Sequence, residues 1–65
     1  MKAYSSREII KILKRDGWYF KRANGDHYQF IHPSKKGKVT VTHPKKDLPI
    51  KTINSILNQA GIELK

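Results

Sequence analysis

Gly25-Asp26-His27 is the run in this chain best suited to chemistry: a histidine directly behind a glycine turn, where a hairpin should open its second strand, in a 65-residue protein of formal charge +9. Histidine can take or give a proton near neutral pH, and on a strongly cationic surface that points to a phosphodiester as substrate. RNA carries its own nucleophile. A minimal ribonuclease therefore needs a group to take the 2′-OH proton, donors for the charge building on phosphorus, and a proton for the leaving oxygen. His27 suits the first or last role, and Lys21 or Arg22 suits the second. General acid-base catalysis is worth about 10² to 10⁴ in rate, so a lone histidine implies a slow enzyme. The plainer reading of His27 is an exposed strand histidine that only donates to a phosphate or caps a turn.

The supporting residues follow from the same chemistry. Gly25 acts through the backbone, because only glycine takes a left-handed turn without strain, and a side chain there would tilt His27. Lys35, Lys36, Lys45 and Lys46 fall in loops, where they can track phosphates without reading sequence; taken singly, each is equally well a solvated surface lysine. His32 and His43 each precede a proline, which favours extended backbone and strand ends. His43 is a candidate partner for His27 if the second and third strands pair. No helical i, i+4 ligand spacing links the histidines, so no metal and no small-molecule cofactor is expected.

Composition narrows the partner class. Fourteen Lys and Arg oppose five Asp and Glu, and the basic residues are spread along the chain rather than gathered in a tail, which fits a folded cationic surface that attracts polyanions. There is no cysteine, hence no disulfide framework and no thiolate metal site. No apolar run approaches the roughly 20 residues of a membrane span. Met1-Lys2-Ala3 opens no signal-peptide pattern, so a cytoplasmic protein with no membrane role is expected. A chain this short makes one domain, 1–65, and buries only roughly 60% of its unfolded surface.

The elements that must position His27 are legible in outline. Ser5-Ser6-Arg7-Glu8 reads as a capping box, Ile9, Ile10, Ile12 and Leu13 recur at helical spacing, and Gly17 suits a helix end, which predicts a helix near 6–16. Trp18–Arg22 and His27–Ile31 flank Ala23-Asn24-Gly25 as an antiparallel hairpin. A two-residue turn at Asn24-Gly25 would split the aromatic residues between faces. A three-residue loop with Gly25 left-handed instead pairs Phe20 with Tyr28, Trp18 with Phe30 and Lys21 with His27, giving one apolar face, and that register is the expectation. Val39–Thr42 alternates as a third strand, with Tyr28 opposite Val41 and His27 beside Thr42. The open polar face then carries Tyr19, Lys21, His27, Gln29, Thr40 and Thr42, with Tyr19 the best base-stacking candidate. Trp18, Phe20, Tyr28 and Phe30 are expected under the helices. Pro49 suits the first turn of a second helix with a stripe of Ile50, Ile53, Ile56, Leu57 and Ala60, ended by Gly61. Ile62–Lys65 is expected to pack loosely. The fold class is α+β, an α-β-β-β-α order with both helices on one face of a three-stranded antiparallel sheet.

This order, the Gly25-Asp26-His27 turn, Val39-Thr40-Val41-Thr42-His43-Pro44 and the stretch Ile53-Asn54-Ser55-Ile56-Leu57-Asn58-Gln59-Ala60-Gly61 together resemble the HicA toxins over nearly the whole chain. The resemblance implies a fold like a compact double-stranded-RNA-binding domain, a metal-independent endoribonuclease that cleaves messenger RNA, an essential histidine at His27, and neutralisation by a HicB antitoxin. Slow cutting suits such a toxin. The chain departs from the family's usual Gly-Ser-His in having Asp26, an anion beside a site that must receive phosphate, and has Thr42 where proline is common. Two rivals stand beside the toxin reading: a non-catalytic RNA-binding module of the same fold, and a subunit whose charge complements an acidic protein partner.

Overall fold

The computed structural model describes residues 4–63; the expectations for Met1-Lys2-Ala3 and for Leu64-Lys65 lie outside them. Helix α1 spans Ser6–Arg15, strands β1, β2 and β3 span Tyr19–Asn24, His27–Ile31 and Val39–Thr42, and helix α2 spans Ile50–Ala60. The strands form one antiparallel sheet in the order β1-β2-β3. No helix of the described residues is long and apolar enough to cross a membrane.

The start of α1 is the expected capping box. Glu8 N–H donates to the Ser5 hydroxyl at 3.2 Å, and the Glu8 carboxylate accepts Ser5 N–H at 3.0 Å, so two amides that the helix leaves unpaired are satisfied reciprocally. Asp16 caps the other end. Gly17 follows at φ +106°, and a Cβ there would stand 2.7 Å from His32 Nε2, so both backbone and space require glycine. Pro49 is the N-cap of α2, one residue earlier than expected, and Gly61 at φ 69° closes the helix.

Both helices pack against β3, and the core gathers Ile9, Leu13, Trp18, Phe30, Val39, Val41, Leu48, Ile53, Ile56, Leu57 and Ala60. Ile62 packs against this core, its N–H donating to Leu57 O at 2.9 Å. Helical cover stops short of β1. Phe20 is 47% exposed, contrary to its expected place under the helices, and packs only its ring against Tyr28 and Phe30. Ile50 of the predicted stripe is likewise exposed.

The hairpin register corrects the expectation. Asn24 pairs with His27, Ala23 with Tyr28, Arg22 with Gln29, Phe20 with Phe30 and Tyr19 with Ile31, with a bulge between Phe20 and Arg22. The turn is the two residues Gly25-Asp26. Gly25 has φ 66° and no non-glycine residue among the described ones has positive φ, the pattern of a type II′ turn with glycine first. A two-residue turn in a regular ladder would put Phe20 opposite Ile31, on the wrong face. The extra residue that a single apolar face demands sits inside β1, as the unpaired Lys21, rather than in the loop. Between β2 and β3 the register is the expected one, Tyr28 with Val41 and His27 with Thr42.

Candidate functional site

Cross-strand pairs share a face of the sheet, so the register decides what surrounds His27. Asn24 on β1 and Thr42 on β3 flank it, and the next row holds Arg22, Gln29 and Thr40. Asn24 takes the place expected for Lys21, and Arg22 is the basic residue of the row behind His27. The Gly-X turn chemistry of Gly25-Asp26 was the available signal for Asn24. Tyr19 pairs with Ile31 at the far end of the strands, about 13 Å from His27 at the usual rise per residue, and is 49% exposed.

His27 stands clear in solvent, its side chain 59% exposed, with Asp26 Oδ1 3.6 Å from Nε2. The turn beneath it is anchored by His43 N–H donating to Asp26 O at 2.8 Å. A Cβ on Gly25 would meet nothing within 4 Å, so Gly25 serves the site through its positive φ alone.

The other two histidines are held by the fold. His32 Nδ1 accepts Ser34 N–H at 3.0 Å and Lys35 N–H at 3.1 Å, so Nε2 carries the proton and donates to Asp16 O at 2.8 Å. Its ring stands edge-on to Trp18. His43 Nδ1 lies 2.6 Å from Ser6 Oγ, and its ring meets Tyr28 edge-on. Ser6 is 1% exposed; its Oγ also accepts Lys45 N–H at 2.8 Å, while its own N–H donates to Lys45 O. His43 thus links the Gly25-Asp26 turn to the first turn of α1.

The loop lysines separate into two kinds. Lys35 Nζ donates to Asp16 Oδ2 at 2.6 Å and to Ala60 O at 3.0 Å, placing its charge at the carbonyl end of α2 where the helix dipole favours a cation. Lys35 also holds the Asp16 carboxyl below its ordinary value, first by this hydrogen bond and then by its charge. Lys35 is therefore bound into the fold, whereas Lys36, Lys45 and Lys46 are exposed, as are Lys21 and Arg22.

Residues 6–62 match the family described as the HicA toxin of bacterial toxin-antitoxin systems. The chain belongs to the HicA toxin family. A HicA-family chain is thus a toxin of a toxin-antitoxin system. A solved structure described as a toxin-antitoxin complex from Streptococcus pneumoniae holds a chain that superposes on this HicA-family fold with a TM-score of 0.76 at 27% identity, covering 89% of this chain and 97% of that one. No curated protein matches the sequence.

Proposed function

We propose that this HicA-family protein is an endoribonuclease toxin that cleaves messenger RNA with His27 as general acid or base, needs no metal, and is neutralised by a HicB-type antitoxin. The observation that carries the reading is His27 itself: an exposed imidazole at the start of β2, directly after the two-residue turn, facing an uncovered sheet surface, in a chain of the HicA toxin family. The 2′-oxygen loses its proton as it bonds to phosphorus, the bond from phosphorus to the 5′-oxygen breaks, and that oxygen leaves with a proton. His27 serves one of these transfers. Arg22 and Lys21 stabilise the negative charge on the phosphoryl oxygens, and Lys36, Lys45 and Lys46 hold backbone phosphates along the strand. The domain spans 1–65.

Asp26 places a carboxylate beside this centre. Its attraction for a protonated His27 is weak at such exposure, and its repulsion of phosphate opposes binding. The antitoxin acts by covering the face that carries His27, a partner proposed on the likeness to a chain from a toxin-antitoxin complex.

The test is incubation of wild-type and His27→Ala protein with labelled single-stranded RNA in excess chelator. Fragments from the wild type alone are expected, with the rate lower by about 10² or more in the variant. Intact RNA with both, and salt-sensitive binding retained, would establish the non-catalytic RNA-binding module instead.

A further inference from the structure

A cleft of about 510 Å³ opens between the first turn of α1 and the segment after β3, lined by Arg7, His43, Lys45 and Lys46 around the buried Ser6. Three of these side chains are permanent cations, and no carboxylate of the described residues lines the cleft. Glu8, the acid of the first turn, is turned back onto Ser5 N–H in the capping box. Two of the first-turn amides are already taken, Ser6 N–H by Lys45 O and Glu8 N–H by Ser5 Oγ. The positive potential of the cleft resides in the side chains of Arg7, Lys45 and Lys46, none of which has a side-chain acceptor among the described residues.

His43 adds a directed donor. Ser6 Oγ accepts Lys45 N–H, and its hydroxyl hydrogen has two possible acceptors, His43 Nδ1 at 2.6 Å and Lys45 O at 3.2 Å. In the arrangement in which the hydroxyl donates along the shorter path to Nδ1, the ring proton sits on Nε2, which has no hydrogen-bond partner among the described residues. A ring nitrogen donor flanked by an arginine and lysines in a concave site matches the acceptors and charge of a phosphodiester.

We infer that this cleft is a second phosphate subsite, which grips a backbone phosphate of the same RNA strand that passes around the Gly25-Asp26 turn to His27. This rests on the ribonuclease reading above and extends it. Continuity with the reactive centre comes through His43, whose backbone N–H holds Asp26 O in the turn before His27. Arg7 was outside every sequence-based expectation of RNA contact, because a residue in the first turn of a capped helix reads as an ordinary surface cation.

Binding is measured in the His27→Ala protein, so that RNA stays intact, by fluorescence anisotropy of a labelled single-stranded RNA over a series of KCl concentrations. Arg7→Gln and Lys46→Gln are each expected to weaken binding and to flatten the slope of log K against log salt by about 0.7, the value per phosphate contact for single strands. Lys51→Gln, an exposed cation on α2, is the control and leaves the slope as it was. The same two substitutions in the His27-containing protein raise KM for RNA and leave kcat within about a factor of two. Slopes and affinities in both variants equal to those of Lys51→Gln, in a protein that does cleave RNA, overturn the subsite and leave the ribonuclease reading intact. A parent protein that neither binds nor cleaves RNA overturns both.

Discussion

His27, His32 and His43 show how one residue type takes three roles according to what its ring nitrogens meet. His32 has both nitrogens hydrogen-bonded within the fold, His43 has one, and His27 has only a carboxylate 3.6 Å away in solvent. Freedom of the ring is what chemistry on an external substrate requires. The proline after His32 and His43 sets them apart from His27 in the sequence, but it reports no contact to Ser6 or Asp16. Ser6 is the least conspicuous of the residues that matter, a helix N-terminal serine whose buried hydroxyl joins His43 to Lys45. Ser6→Ala leaves the Lys45 amide and His43 Nδ1 without their partner. The expected loss is about 1–3 kcal/mol, read from urea denaturation, together with faster hydrogen exchange at the Lys45 amide.

At the scale of elements, Lys35 and Asp16 tie the loop after β2 to the ends of both helices. Because the Asp16 carboxyl is held low in the folded protein, folding favours its ionised form. The contribution is complete above the unfolded carboxylate value of about 4 and is lost as pH falls through the lower folded value. Asp16→Asn is therefore expected to lower Tm at neutral pH and to lose less stability than wild type below about pH 4; thermal melts across pH check both. The loop contacts behind this are invisible in sequence because they join residues distant along the chain. The elements themselves were legible: the capping box at Ser5–Glu8, the Val39–Thr42 alternation and the apolar stripe ending at Gly61 each declare a period and a boundary. The register of β1 was not. One apolar face demands one extra residue between Phe20 and Tyr28, and that demand is met equally by a longer loop or by a bulge at Lys21. Parity can be read from aromatic spacing, but the position of the odd residue depends on the turn, and Gly25-Asp26 formed the tighter one.

The whole molecule works close to the limit of what so few residues can hold together. A stability of about 3–10 kcal/mol is the range for this length, and truncating a buried aromatic costs about 3–5 kcal/mol. Phe30→Ala, at the centre of β2 and almost fully buried, is expected to lower Tm by about 12 °C or more, read by circular dichroism. The core lies beneath β2 and β3, so β1 remains an outer strand with Tyr19 and Phe20 exposed, interrupted at Lys21 and bordered by Arg22. Such a border is an invitation to pair with another copy, and two features decline it: the bulge breaks the hydrogen-bonding ladder, and like charges oppose each other where two such strands would meet. The second safeguard is conditional. A polyanion lying over Lys21 and Arg22 removes the repulsion between copies, so clustering into larger assemblies is a hazard of the occupied protein more than of the free one, and the single misfit residue in β1 is then what keeps it dispersed.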